Sequence, residues 1–132
     1  MKATVSWQQA LTFTGQTESG FSQTLDGNGE ALSPMETVLL AVGACSSIDV
    51  VDILKKRRLT VTDCQCELDA ERAAEPPRVF TKIHAHYKVI GENLKEKDVD
   101  RAVALSADKY CSVMLMLKGN VEITTSYSIE TV

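Results

Sequence analysis

The chain has 132 residues, of which 44% are hydrophobic and 24% are charged, with a net charge of −4 and an isoelectric point near 5.2. This length and composition are typical of one globular domain, which we expect to span residues 1–132. The acidic balance argues against nucleic acid as a partner, because phosphate binding needs clustered basic side chains. The one basic cluster, Lys55 to Arg58, lies where a helix is expected to end, and the helix dipole favours cations there.

The N-terminus, Met1 to Trp7, lacks the apolar core of a signal peptide. By eye, no run reaches the about 18–20 apolar residues that a membrane span requires. We therefore expect a cytoplasmic protein with no membrane partner. In that compartment its four cysteines are expected to be reduced, catalytic or metal-binding rather than crosslinked.

Three strands and a long helix are predicted in the first half of the chain. Alternating polar and apolar residues predict strands at 2–7, 11–14 and 21–25, before the turn signal Asp26-Gly-Asn-Gly. A helix is then predicted from Ser33-Pro-Met-Glu to about Lys55. Serine can cap it, proline fits its first position, and glutamate completes a capping box.

The second half predicts the remaining elements of an α+β domain. Strands are expected at 59–69 and 79–90 around a turn at 72–77, helices at 94–109 and 112–118, and a last strand at 121–132. The order β-β-β-α-β-β-α-α-β lacks a regular βαβ rhythm. It predicts antiparallel sheets enclosing two central helices.

Two cysteines point most directly to chemistry. Cys45 lies in the longest apolar helical run, and Cys111 opens another. A reactive cysteine must be a thiolate, which a nearby cation or hydrogen-bond donor stabilises. At about 100° per residue, Asp49 and Asp52 lie within about 40° of the Cys45 direction and oppose a thiolate there. Cys111 has Lys109 just before it and is better placed, although burial alone also explains a cysteine.

The other two cysteines suggest a metal site as an alternative. Cys64 and Cys66 share one face of a strand, as do His84 and His86 on the next. A hairpin between these strands would place Cys64 opposite His86 and Cys66 opposite His84, a ligand set that suits zinc. The spacing differs from the tight turns of structural zinc sites, so our expectation is no metal and no cofactor.

The two cysteine motifs resemble those of a known family. Ser33-Pro-Met-Glu, Ala41-Val-Gly-Ala-Cys45-Ser-Ser-Ile-Asp-Val-Val and Lys109-Tyr-Cys111-Ser-Val are similar to the OsmC/Ohr family, closest to its YhfA-like branch. The resemblance covers essentially the whole chain. It implies an intertwined homodimer with two central helices per subunit and antiparallel sheets around them.

The resemblance also implies an activity. Active members of the family reduce organic hydroperoxides with a pair of thiols. Carried over to this chain, Cys45 would attack the peroxide and become a sulfenic acid, and Cys111 would condense with it to a disulfide. A dithiol would then reduce that disulfide.

The chain departs from the family's peroxidases in two places. Those proteins carry an activating arginine in the N-terminal sheet, whereas the first arginine here is Arg57 and the only cation before Lys55 is Lys2. They also carry a glutamate ten residues before the first cysteine, where this chain has Met35. Glu36 is better interpreted as the capping-box residue.

Two other interpretations remain open. One is a non-peroxidatic relative that binds a small apolar or thiol-reactive ligand at the dimer interface, since methionine suits adaptable apolar pockets. The residues of its proposed apolar wall are Val38, Leu39, Val42, Met114 and Met116. The other is a scaffold in which both thiols are simply buried.

Overall fold

The computed structural model describes residues 1–132, and the predicted order of strands and helices is confirmed. The first half comprises β1 (Ala3–Gln9), β2 (Thr12–Thr17), β3 (Ser22–Asp26) and α1 (Pro34–Lys56). The second half comprises β4 (Thr60–Arg72), β5 (Phe80–Glu92), α2 (Glu96–Leu105), α3 (Ser112–Leu117) and β6 (Glu122–Thr131). A five-residue π-helical segment, Ser106–Tyr110, separates α2 from α3.

The contacts divide the chain into two compact units, Met1–Leu40 and Ala41–Val132. The first unit contains an antiparallel sheet in the order β1-β2-β3. Its loop after β3 is organised by the buried Asp26 carboxylate, which accepts hydrogen bonds from the backbone N–H groups of Asn28 (2.6 Å) and Glu30 (3.0 Å). The predicted turn at this aspartate is thereby explained by side-chain capping of the backbone.

The second unit contains a sheet in the order β4-β5-β6, and here the expectation of purely antiparallel sheets is wrong. β4 and β5 are antiparallel, whereas β5 and β6 are parallel. Parallel neighbours need a crossover of about a dozen residues or more, and α2, the π-helical segment and α3 supply one. The core of this unit includes the β5 side chains Ile83, Ala85, Tyr87 and Val89, as the alternation predicted.

The capping box predicted for α1 is confirmed. The backbone N–H of Glu36 donates to Ser33 Oγ at 3.1 Å, and the Ser33 N–H donates to Glu36 Oε1 at 2.9 Å. Lys55 and Lys56 occupy the last turn of the helix, where its dipole favours cations.

One stripe of α1 is buried, and its members are Val42, Gly43, Ser46, Val50 and Leu54. An added Cβ at Gly43 would lie 2.7 Å from Leu68 Cδ1 and 3.8 Å from Cys66 Sγ, so glycine lets β4 approach the helix closely. The opposite side of α1 is exposed at Ile48, which keeps 68% of its accessible surface. The helix therefore packs on one face and leaves an apolar face open.

The expectation that no segment is apolar enough to span a membrane is wrong when length and composition are the only criteria. α1 has 23 residues, with a mean hydropathy of 1.9 over an 18-residue window of which 28% is buried. Core helices of soluble proteins have the same properties, and the completely buried Val42, Val50 and Leu54 belong to such a core.

Candidate functional site

The structure brings together the two cysteines that the sequence singled out. Cys45 is half-buried in the middle of α1, and Cys111 is buried at the N-cap of α3. The thiol of Cys45 is close enough to that of Cys111 to raise the pKa of Cys111, and both cysteines are free. A pair of adjacent free thiols can pass between dithiol and disulfide states.

Burial makes Cys111 a weak acid. The pKa of this thiol is raised to about 11, chiefly by burial and also by the neighbouring Cys45, while the backbone N–H groups of Met114 and Val113 lower it. The Met114 N–H donates to Cys111 Sγ at 3.4 Å. Cys111 is therefore protonated at neutral pH and can donate its S–H to the sulfur of Cys45.

The π-helical segment places Cys111 at the end of a widened turn. The backbone N–H of Cys111 donates to the carbonyl oxygen of Ser106 at 2.8 Å. This bond spans five residues rather than the four of an α-helix, which is the signature of a π-turn. The sequence predicted one α-helix over 94–109; the structure instead ends α2 at Leu105 and widens the chain before the cysteine.

Buried hydroxyl groups connect this segment and β5 to α1. Ser106 Oγ donates to Asp49 Oδ2 at 2.9 Å and lies 3.3 Å from the carbonyl oxygen of Ser46. On another side of the same helical turn, the Tyr87 hydroxyl donates to Ser46 Oγ at 2.6 Å, and Ser46 Oγ donates in turn to the carbonyl oxygen of Val42 at 2.7 Å. The residues next to Cys45 are thus held from two directions.

The two aspartates near Cys45 differ in their partners. Asp49, half-buried, accepts the hydrogen bond from Ser106 and forms no ion pair. Asp52 forms an ion pair with Lys56, with 2.9 Å between Asp52 Oδ2 and Lys56 Nζ. Asp49 is therefore the one of the two carboxylates without an ion pair.

The thiol of Cys111 has no activating cation. The groups that set the pKa of Cys111 include no lysine or arginine, so Lys109 does not act as its predicted neighbour. Three cations instead line an open cleft of about 510 Å³ between α1 and the α2–π region, together with Tyr110. These cations are Lys56, Arg57 and Arg101.

The alternative zinc arrangement is wrong, because the strand register differs from the one assumed. Cys64 and Cys66 lie opposite Val89 and Tyr87, on the buried face of the β4–β5 pair. The partner of Cys64 is displaced by three residues from the one assumed, because the pairing is centred between Pro76 and Pro77 rather than at residue 75, and an odd displacement in register moves side chains to the other face. Burial raises the pKa of the Cys64 thiol to about 11 and also raises the pKa of Cys66.

The histidines lie on the opposite face, where they bind hydroxyl groups of β6. Ser126 Oγ lies 2.8 Å from His84 Nε2 and 2.6 Å from His86 Nδ1, and Thr124 and Ser128 occupy the outer nitrogens. All four imidazole nitrogens therefore have a hydrogen-bond partner. Their structural role is to join β5 to the parallel strand β6.

Two residues that support the thiols, Ser106 and Tyr87, were not identified as functional from the sequence. A signal was present for each. Ser106 falls on the apolar side of the predicted helix, and Tyr87 on the apolar side of a predicted strand. A hydroxyl at a buried position needs a hydrogen-bond partner, so both positions indicate contacts in the core.

Comparison with known proteins identifies close relatives. The family model of OsmC-like proteins matches residues 27–126. Protein YhfA of Escherichia coli strain K12 is 53% identical over 131 residues, which is 98% of each chain. The crystal structure of a hypothetical protein from Aquifex aeolicus VF5 has a TM-score of 0.91 and 31% identity, covering 99% of this chain and 96% of that one.

More distant structures share the fold. A protein from Legionella pneumophila described as organic hydroperoxide resistance protein OsmC has a TM-score of 0.73 and 18% identity, covering 96% of this chain and 95% of that one. At this identity the likeness concerns the fold alone. It shows that an α+β fold with two sheets and three helices is common to both.

Proposed function

Because the chain belongs to the OsmC-like family, we propose that it is a thiol-dependent peroxidase that reduces organic hydroperoxides through Cys45 and Cys111. The observation that carries this proposal is the contact between the Cys111 thiol and the Cys45 thiol. Its chemistry needs no metal or cofactor. It needs one sulfur that attacks the peroxide and a second sulfur within bonding reach.

The proposed reaction has three steps. The Cys45 thiolate attacks the outer oxygen of the hydroperoxide, the O–O bond breaks, and the organic part leaves as an alcohol after taking a proton. Cys45 is then a sulfenic acid, and the sulfur of Cys111 displaces its hydroxyl group as water, forming a disulfide. An external dithiol reduces this disulfide by exchange and is itself oxidised to a disulfide.

The protonation of the pair supports these roles. The raised pKa of Cys111 keeps that thiol protonated at neutral pH, so its S–H can serve as a donor to the neighbouring sulfur. Cys45 is also the more exposed of the two, being half-buried where Cys111 is fully buried. These differences favour Cys45 as the group that meets the peroxide and Cys111 as the group that resolves it.

We propose that residues 1–132 form one cytoplasmic OsmC-like domain that acts as an intertwined homodimer, with two central helices per subunit. The support is the exposure of apolar side chains on α1 and α3, where Ile48 keeps 68%, Leu115 38% and Met116 73% of their accessible area. Contiguous exposed apolar patches mark interfaces, and a second subunit would cover these side chains. A second subunit is also a source of the cation that the thiols lack.

Light scattering tests the dimer directly. The wild-type protein is expected to have the mass of two chains, and Ile48→Glu is expected to shift it toward one. Thr62→Glu, which adds the same charge at an exposed position of β4, is the matched control and should leave the mass unchanged. A wild-type monomer would contradict the dimer.

The activity is tested by mixing reduced protein with cumene hydroperoxide and dihydrolipoamide and following peroxide loss. We expect catalytic consumption by the wild type and by Cys66→Ser, and none above background by Cys45→Ser. Consumption by wild type no faster than by Cys45→Ser would show that the peroxidase proposal is wrong.

A second candidate function is binding of a small apolar or thiol-reactive ligand without turnover. It is favoured by one observation, namely that Asp49 lies one turn beyond Cys45 with no cation paired to it. A carboxylate there opposes the thiolate that peroxide reduction requires. Cumyl alcohol, which has no peroxide bond, would then raise the melting temperature of wild type and Cys45→Ser alike, in the absence of any peroxidase activity.

A further inference from the structure

Ser106 lies at the junction between the helix that carries Cys45 and the segment that carries Cys111. It is 1% exposed and ends α2, with its own N–H bonded to the carbonyl oxygens of Ala102 and Val103. Its side chain bonds to the helix that contains Cys45, and its backbone carbonyl bonds to the N–H of Cys111. No other described residue bonds both α1 and the backbone of Cys111.

The side chain of Ser106 holds α1. Its hydroxyl donates to Asp49 Oδ2 at 2.9 Å, and its oxygen lies 3.3 Å from the carbonyl oxygen of Ser46, the residue after Cys45. These two acceptors lie within four residues of Cys45 on the same helix. A hydrogen bond to a carboxylate is stronger than one between neutral groups, so the Ser106 hydroxyl fixes the distance between its own segment and Asp49 on α1.

The backbone of Ser106 holds Cys111. The carbonyl oxygen of Ser106 accepts the N–H of Cys111 at 2.8 Å, which closes the π-turn. One residue therefore bonds to the surroundings of both thiols, through two rigid connections. A shift of the π-helical segment along α1 would have to break the Ser106–Asp49 bond.

We propose that Ser106 is a positioning residue, whose side chain fixes the π-helical segment against α1 and so sets the separation of the Cys111 and Cys45 sulfurs. The inference rests on the proposed function, because that separation matters only if the two thiols form a disulfide. Disulfides tolerate a narrow range of geometry, with Cβ atoms about 3.5–4.5 Å apart. Loss of the Ser106–Asp49 hydrogen bond lowers the fraction of time in which the two cysteines have the geometry that a disulfide requires.

The test is the redox equilibrium of the thiol pair in glutathione buffers. The Cys45 and Cys111 thiols give two electrons and two protons to oxidised glutathione, which becomes two molecules of reduced glutathione. The ratio of disulfide to dithiol protein, read by alkylation and peptide mapping of these two cysteines, gives an equilibrium constant. This constant is the effective concentration of one thiol toward the other, and it is measured without any peroxide.

We expect Ser106→Ala to lower this constant by about three- to tenfold, the size of the loss of one hydrogen bond. The control is Val89→Ala, which opens a cavity at a completely buried position of β5, opposite Cys64 on β4. It should lower the melting temperature at least as much as Ser106→Ala while leaving the constant unchanged.

Each outcome decides the inference. A constant for Ser106→Ala equal to that of the wild type would overturn the positioning role, as would an equal fall in both variants, since the effect would then be general destabilisation. Absence of a Cys45–Cys111 disulfide in the wild type at every buffer ratio would overturn it too. If instead the disulfide forms and responds to Ser106→Ala but cumene hydroperoxide is not consumed, the positioning role stands and the peroxidase proposal fails.

Discussion

The thiol of Cys45 lies close enough to the thiol of Cys111 to raise the pKa of Cys111, although the two cysteines are far apart in the sequence. Cys45 comes from the middle of α1, and Cys111 comes from the N-cap of α3 behind a π-turn. Their proximity depends on the docking of the π-helical segment onto α1. The proposed chemistry follows from this one relationship.

Removal of the resolving thiol is expected to trap the oxidised nucleophile. In Cys111→Ser, one equivalent of cumene hydroperoxide should convert Cys45 to a sulfenic acid that has no adjacent thiol to condense with. Dimedone should then label Cys45 in this variant and label the wild type much less, as read by peptide mass spectrometry. Cys64→Ser removes a thiol from β4 instead and should behave as the wild type. Equal labelling in Cys111→Ser and wild type would contradict the resolving role.

Removal of the carboxylate beside Cys45 is expected to make that thiol more reactive. Residues four apart on a helix have Cβ atoms about 5–6 Å apart, and at this distance a unit charge in water contributes roughly 0.7 kcal/mol. Asp49→Asn should therefore speed alkylation of Cys45 by iodoacetamide by about threefold at pH 7.

The matched control is Asp52→Asn. Asp52 also lies on the Cys45 side of α1, but Lys56 offsets its charge at 2.9 Å. Its replacement should change the alkylation rate of Cys45 less than Asp49→Asn does. A larger effect from Asp52→Asn would show that Asp49 is not the carboxylate that restrains the thiol.

Alkaline pH is expected to destabilise the protein through its buried thiols. The pKa values of Cys111 and Cys64 are raised from 9.0 to about 11, chiefly by burial. The folded state therefore holds more protons than the unfolded state between these values, and stability falls as the pH rises from about 9 to 11. Urea unfolding across this range should show a smaller decline for Cys111→Ala than for the wild type. Identical slopes would contradict the raised pKa of Cys111.

A substitution at the end of β5 is expected to test the packing of the second sheet. An added Cβ at Gly91 would clash with the backbone carbonyl oxygen of Thr60 on β4. This oxygen belongs to the main chain, so no change of side-chain rotamer can relieve the clash. Gly91→Ala should lower the free energy of unfolding by about 1–3 kcal/mol, the usual cost of overpacking. Gly15→Ala in β2 is the control, because its nearest neighbour is 3.8 Å away. A Gly91→Ala variant as stable as Gly15→Ala would contradict this packing.

The succession of elements could be predicted from the sequence because it depends on local patterns. The capping box at Ser33 and Glu36 marks the start of α1, and the hydrogen bonds of that box form as predicted. The alternation in β5 predicted the buried face that contains Ile83 and Tyr87. These sequence patterns are local, because each lies within a few residues of the helix start or strand that it predicts.

Strand register and direction could not be predicted in the same way. The opposition of Cys64 and His86 centres the hairpin at residue 75, whereas the pairing of Cys64 with Val89 centres it between Pro76 and Pro77. The parallel direction of β6 depends on how the helical crossover returns to the sheet. Both features are set by long-range packing, which a local pattern does not contain.

The two cysteines of the candidate site stand out in the sequence, whereas the residues that surround and support them do not. Cys45 and Cys111 were identified from their motifs, but their contact requires the π-turn that Ser106 closes. A π-turn inside an otherwise helical pattern leaves no distinct sequence signal. The hydroxyl of Ser106 at an apolar helical position was the one available indication of a buried polar contact.

The most direct test of the account is to find which sulfurs are joined after oxidation. Reduced wild-type protein would be treated with one equivalent of cumene hydroperoxide, its remaining thiols alkylated, and its peptides mapped by mass spectrometry. The account predicts a disulfide between Cys45 and Cys111, with Cys64 and Cys66 alkylated. Alkylation of all four cysteines, or a disulfide that leaves out Cys45, would contradict it.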